Sequence, residues 1–81
     1  MNIIIYTKTG CPWCIGALTY LREEGIPFEE RNVTENQTFF DEMIAKSNQS
    51  KAPTLDIEGE IFGDVGKEEI EVILRDKGIV K

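Results

Sequence analysis

The run Ile3-Ile4-Ile5-Tyr6-Thr7-Lys8-Thr9-Gly10-Cys11-Pro12-Trp13-Cys14 decides the fold, and it holds the only two cysteines of the chain. Ile3 to Tyr6 is an apolar, β-branched stretch of the kind that pairs into a buried strand. Beyond the cysteines, Ala17, Leu18 and Leu21 recur at helical spacing. The Cys-x-x-Cys therefore stands where a strand hands over to a helix. Unpaired N–H groups in the first turn of a helix favour negative charge on a sulfur placed there. The thiolate is the reactive form of cysteine. Pro12 falls in the first helical turn, where its missing N–H is no loss. Cys14 follows one turn later, close enough to Cys11 for a small disulfide ring. The pattern reads as a dithiol that opens and closes.

Two plainer roles compete with that reading. A four-ligand zinc site needs two further cysteines or histidines, and the chain has none of either, so no metal is expected. A structural disulfide across so short a loop would stabilise little, because the entropic gain grows with loop length. Redox use fits the spacing and its strand-to-helix context better.

Length and charge narrow the class. The 81 residues allow one domain, spanning 1–81, with a modest core. No apolar run approaches the roughly 20 residues of a membrane span. No basic segment followed by a cleavable apolar stretch opens the chain, so cytoplasmic residence is expected, as a monomer and away from membranes. In that compartment a lone Cys-x-x-Cys is more often catalytic than structural. The net charge of −6, from 9 basic and 15 acidic residues, argues against a nucleic-acid partner, and the basic residues form no run. An acidic surface also repels small anions, so an anionic ligand would need locally placed lysines.

The remaining elements follow in one pass. Residues 2–7 form the first strand, and a helix runs from Pro12 to about Glu24, ended by Gly25 in a left-handed position. Phe28 to Val33 reads as a second strand, since Pro27 forbids helix there. Thr34-Glu35-Asn36-Gln37 matches a capping box that opens a second helix. Phe39, Phe40, Met43 and Ile44 give that helix an apolar stripe. Leu55 and Ile57 alternate with Asp56 and Glu58, the pattern of a half-exposed strand. Gly59 turns the chain, and Ile61-Phe62 returns as a short antiparallel partner. A last helix starts near Lys67, turns Ile70, Ile73 and Leu74 inward and stops at Gly78. The order βαβαββα predicts an α/β fold, a four-stranded mixed sheet flanked by three helices, with a right-handed crossover between the first two strands. The cysteines then lie at the carboxyl end of the first strand, where ligands bind in open α/β sheets.

The size, this element order, the Lys8-x-x-Cys11-Pro12-x-Cys14 start and a later proline before the third strand resemble the glutaredoxins, a family of the thioredoxin superfamily. The resemblance covers nearly the whole chain and implies a thioredoxin-like fold. It implies that Cys11 attacks a disulfide and that Cys14 resolves the mixed disulfide. Lys8 would favour the Cys11 thiolate and hold a glutathione carboxylate. Trp13, where the family usually has tyrosine or phenylalanine, would offer glutathione an apolar face. Ala52-Pro53 matches the family's Val-Pro step, whose cis peptide presents its backbone to the glutathione cysteine. Lys51 stands in place of the usual threonine and would hold a glycyl carboxylate. Gly63-Asp64-Val65-Gly66 replaces the usual Gly-Gly and the pair that follows it. There the N–H groups of Val65 and Gly66 would receive the γ-glutamyl carboxylate at a helix N-terminus, and Asp64 would pair with its amine. Gln37 is a further candidate for the groove wall.

The implied activity is that of a glutathione-dependent thiol–disulfide oxidoreductase. Its partners would be glutathione and disulfide-containing or glutathionylated proteins. Two alternatives stay open on the same residues. One is a glutaredoxin-like electron donor of ribonucleotide reductase, reduced by thioredoxin reductase. The other is a module binding an iron–sulfur cluster through Cys11 and glutathione.

Overall fold

The structure, a computed structural model, describes residues 2–80; Met1 and Lys81, the ends of the expected domain, lie outside the described residues. Its elements are β1 (Ile3–Thr7), α1 (Pro12–Glu23), β2 (Glu29–Asn32), α2 (Gln37–Ser47), β3 (Thr54–Ile57), β4 (Glu60–Phe62) and α3 (Lys67–Asp76). The strands form one mixed sheet in the order β2-β1-β3-β4. β1 and β2 run parallel, while β1–β3 and β3–β4 are antiparallel. This is the expected βαβαββα arrangement, with β1 as an interior strand. No helix among the described residues is long and apolar enough to cross a membrane.

Both faces of the sheet are covered, and strand alternation sorts the side chains between them. Ile3, Ile5, Leu55 and Ile57 face a core built with Ala17, Leu18 and Leu21 of α1 and Ile70 and Leu74 of α3. Tyr6 points to the other face, where it meets Met43 of α2 and Val33. α1 ends as its sequence predicts: Gly25 takes φ +66, and the Ile26 N–H reaches back to the Leu21 carbonyl at 3.0 Å. The turn that carries the cysteines is thus clamped between a buried strand and a helix that packs along most of its length.

Three expectations need correction. β3 is buried on both faces rather than half exposed. α2 lies over its second face, and Lys46 from that helix meets the buried Asp56 at 2.8 Å. Asp56 also accepts the Gly59 N–H at 2.8 Å, so both carboxylate oxygens have partners. Next, Asn36 rather than Thr34 caps α2, its side-chain oxygen accepting the N–H groups of Thr38 and Phe39. Asparagine is the stronger N-cap, and the Thr34 hydroxyl instead accepts the Thr9 N–H at 3.1 Å, tying the loop before Cys11 to the end of β2. Finally, Ile44 is exposed. From Met43 the inward line of α2 continues three and four residues on, to Lys46 and Ser47, and passes Ile44 by.

Lys46 also belongs to a polar chain beneath α2. Its amine donates to the Tyr6 hydroxyl at 2.7 Å, and that hydroxyl donates to Glu42 at 3.0 Å. Arg31 closes the chain on Glu42 at 2.6 Å. Burial alone would raise the Glu42 carboxyl, but the hydrogen bonds from Tyr6 and Arg31 outweigh it and hold the group below the usual carboxylate range.

Lys46→Met removes the cation and leaves both Asp56 and Tyr6 short of a donor. It should cost about 1–3 kcal/mol, read as a lower urea midpoint with an unchanged slope.

Candidate active site

The path from β1 to α1 is short. After Thr7 the chain passes Lys8 and Thr9, turns at Gly10 with φ +74, and reaches Cys11 in an extended conformation. Cys11 is the N-cap of α1. Its sulfur accepts the Cys14 N–H at 3.1 Å, as a capping side chain does, and its carbonyl accepts the Ile15 N–H at 3.1 Å. Pro12 occupies the first turn, so its missing donor leaves nothing unsatisfied. A thiolate at Cys11 would accept that N–H as a charge-assisted hydrogen bond, the stronger kind.

Cys14 lies in a different medium. It is 2% exposed, while Cys11 is only partly covered, and both thiols are unlinked. Burial pushes the Cys14 thiol up to about 12, and the neighbouring Cys11 sulfur adds to the effect. The main chain and charge of Lys8 pull the other way but do not prevail. Two cysteines one turn apart are thereby made unequal. One is presented at a helix end, and the other is held protonated in the core.

Across from Cys11 runs the loop before β3. The Ala52–Pro53 peptide is cis, and the Ala52 carbonyl lies 3.9 Å from the Cys11 sulfur. Pro53 is buried, and its carbonyl accepts the Val65 N–H at 2.9 Å. Trp13 leaves the first turn of α1 with 68% of its surface exposed. Together with Pro53, Asp64, Gly66 and Glu69 it lines a groove of about 220 Å³.

The structure brings most of the expected residues together. Cys11, Cys14, Ala52 and Pro53 converge on one point, and Trp13, Asp64 and Gly66 border the groove beside it. Val65 departs from expectation, because its N–H is already committed to Pro53 and is not free for a carboxylate. Of the expected pair of donors only the Gly66 N–H, at the N-cap of α3, has no partner among the described residues. Lys51 is exposed and is not part of the groove wall. Gln37 is exposed, donates to Asp41 within α2 at 3.0 Å, and likewise does not line this groove. Glu69, which does, was not expected. Its place in the acidic first turn of α3 was the available signal.

The chain matches the Glutaredoxin family over residues 3–62. It is 35% identical over 72 residues to an uncharacterized glutaredoxin-like 8.6 kDa protein in the rubredoxin operon of Clostridium pasteurianum, covering 89% of this chain and 96% of that one. It is 34% identical over 62 residues to glutaredoxin 3 of Escherichia coli K12, covering 76% and 75% of the two chains. In fold it is similar to the crystal structure of the thioredoxin-like protein BC3987, with a TM-score of 0.80, 24% identity, and 89% and 99% of the chains covered. The chain therefore belongs to the glutaredoxin family, within the thioredoxin superfamily.

The inequality of the two thiols has direct readouts. Iodoacetamide at neutral pH should add a single group to the native reduced protein, at Cys11, and two groups after denaturation, as read by mass. Cys14 also shapes alkaline stability. Its thiol titrates near 12 in the native state against an ordinary value of 9.0, so between these values the native state holds the extra proton. Stability should therefore fall as pH rises through that window. Cys14→Ala should flatten this part of the slope in denaturant titrations at several pH values.

Proposed function

We propose that this glutaredoxin-family chain is a dithiol thiol–disulfide oxidoreductase of the cytoplasm, reset by glutathione and acting on protein disulfides and glutathione mixed disulfides. The observation that carries the reading is the pairing of an N-cap sulfur at Cys11 with a buried, protonated sulfur at Cys14. A lone structural thiol pair has no need of that asymmetry, whereas a two-step exchange depends on it.

In the first step the Cys11 thiolate attacks one sulfur of the substrate. A new S–S bond forms, the old one breaks, and the second sulfur leaves as a thiolate. Cys14 then gives up its proton and attacks the Cys11 sulfur. The bound thiol departs, and the Cys11–Cys14 disulfide remains. The substrate has gained two electrons and the protein has lost them. Two glutathione thiols reverse the exchange and emerge as glutathione disulfide. Glutaredoxins as a class poise at about −200 to −230 mV, within reach of that reductant.

The other residues take binding roles. The Ala52–Pro53 backbone would lie along the cysteine of the incoming disulfide, like an added strand edge, and the Trp13 ring would cover its apolar side. Lys8 and Lys51 would attract carboxylates. At the far end of the groove, Gly66 and the N-terminus of α3 would receive the γ-glutamyl carboxylate, with Asp64 on its amine.

One observation favours a second reading. Val65 has no N–H to offer, and Asp64 and Glu69 both border the groove, which weakens the case for tight binding of an anionic tripeptide. On that reading the chain is an electron donor reduced by thioredoxin reductase.

Cys14→Ser protein incubated with oxidised glutathione separates the two. A single glutathione adduct that glutathione removes, coupled to glutathione reductase, supports the first. No adduct, with the wild-type disulfide reduced by thioredoxin reductase, supports the second. Cys11→Ser should show no turnover in either assay, and turnover there would overturn Cys11 as the nucleophile.

A further inference from the structure

We propose that Gln49 is a positioning residue for thiol–disulfide exchange, holding the Ala52–Pro53 step at its distance from Cys11. The inference rests on the exchange reaction proposed above. Gln49 touches neither cysteine. It lies behind the loop, where Asn48, in the left-handed conformation with φ 56, ends α2 and turns the chain.

Three segments meet on its side-chain amide. The Gln49 Oε1 accepts the Lys51 N–H at 2.6 Å. Its Nε2 donates to the Ser47 hydroxyl at 2.9 Å and to the Thr54 hydroxyl at 3.0 Å. The fully buried Thr54 hydroxyl in turn donates to the Lys51 carbonyl at 2.8 Å. Both main-chain polar groups of Lys51, the residue before Ala52, are thus held by one amide and the hydroxyl bound to it. Ser47 anchors that amide to the last turn of α2.

The third segment is the exit of β4. A Cβ added at Gly63 would stand 2.9 Å from the Gln49 Nε2 and 3.2 and 3.3 Å from its Cδ and Cγ. The chain passes so close that a side chain at Gly63 would have to displace the Gln49 amide from its hydrogen bonds. The constraint is one of space, since the Gly63 φ lies outside the left-handed region. Two residues on, Val65 grips the Pro53 carbonyl from the front. The loop is therefore held on one side by Gln49 and on the other by a strand exit that leans on Gln49.

What this positioning governs is geometry, not acidity. Exchange needs three sulfurs nearly in line, with the incoming disulfide laid along the Ala52 backbone opposite Cys11. Alkylation of Cys11 needs only a thiolate and access. A residue that acts through the loop should change the first rate and spare the second.

The experiment uses the reduced full-length protein and follows both rates in a single turnover, with oxidised glutathione and bis(2-hydroxyethyl) disulfide as exchange probes and iodoacetamide as alkylation probe. Gln49→Ala should slow exchange by roughly tenfold to a hundredfold, the scale of a 1 Å misplacement, and leave the alkylation rate and the single adduct unchanged. Gln49→Glu keeps the acceptor for Lys51 and loses both donors, so its exchange rate should fall in between. Gly63→Ala should slow exchange alone but add nothing in the Gln49→Ala background, because the group it strikes is gone. Unchanged exchange in Gln49→Ala, exchange and alkylation falling together, or additive effects of the two substitutions would each overturn the proposal. If Gln49→Ala loses its fold, shown by a second adduct at Cys14, Gln49→Glu decides the matter, and wild-type exchange in that variant overturns the role. Wild-type protein that exchanges with neither disulfide overturns the oxidoreductase reading and this role with it.

Discussion

The arrangement of the two thiols turns on one hydrogen bond, from the Cys14 N–H to the Cys11 sulfur at 3.1 Å. It exists because β1 delivers the chain to the start of α1 with Cys11 still extended and Pro12 already helical. The bond makes the first sulfur a helix cap, and the helical turn that supplies it carries the second sulfur into the core. A single local geometry thus presents one thiol and buries the other. Without the buried strand on one side and the packed helix on the other, the turn would have no fixed direction and the two sulfurs no fixed difference.

The second constraint is that the sheet is covered twice. α1 and α3 share the face of Ile3, Ile5, Leu55 and Ile57, and α2 takes the face of Tyr6. Covering the second face with a short helix brings charged groups against a strand. The structure answers with paired groups: Lys46 on Asp56 and Tyr6, and Arg31 and Tyr6 on Glu42. Of these charged groups only Asp56 is buried, the others being partly covered or exposed. The costly loss would be that of a partner to Asp56, and as a set the pairs are weak evidence of net stability. Their structural effect is to seat α2 against the sheet. Past its C-terminal turn Asn48 redirects the chain, and Gln49 reaches the loop facing Cys11.

What the sequence could announce follows from whether a signal is local. The Ile3–Tyr6 run, the strand-to-helix placement of Cys11 and Cys14, Gly25 at a helix end and the inward Ile70 and Leu74 are each legible locally, and each is found where the sequence places it. The misses involve partners distant along the chain. Asp56 looks solvent-facing by alternation, and its burial is made tolerable by Lys46, ten residues earlier on another element, together with the Gly59 N–H on its other oxygen. Thr34 looks like a cap, but the helix starts two residues later on Asn36, which takes the Thr38 and Phe39 amides, and Thr34 is drawn to Thr9, 25 residues away. Gln49 shows no pattern at all, since an amide in a polar loop means nothing until Thr54 and Gly63 are placed around it. Val65 fails for the same reason, its donor having been claimed by Pro53.

The charge of the groove bears on how such a site selects substrates. Asp64 and Glu69 border the end where the N-terminus of α3 would otherwise attract an anion. A helix terminus contributes about 0.3–1 kcal/mol towards a nearby anion at an exposed position, and exposed ion pairs contribute about 0–1 kcal/mol each. The terms are of one size and opposite sign, so neither dominates at the far end of the groove. Discrimination by charge there is shallow. On the proposed function, the weight of recognition would then fall on the part of the site that does not depend on it: the Ala52–Pro53 backbone, the Trp13 face and the fixed distance from Cys11. That shifts the burden from the groove to the loop, and so to the residues behind the loop that keep it in place.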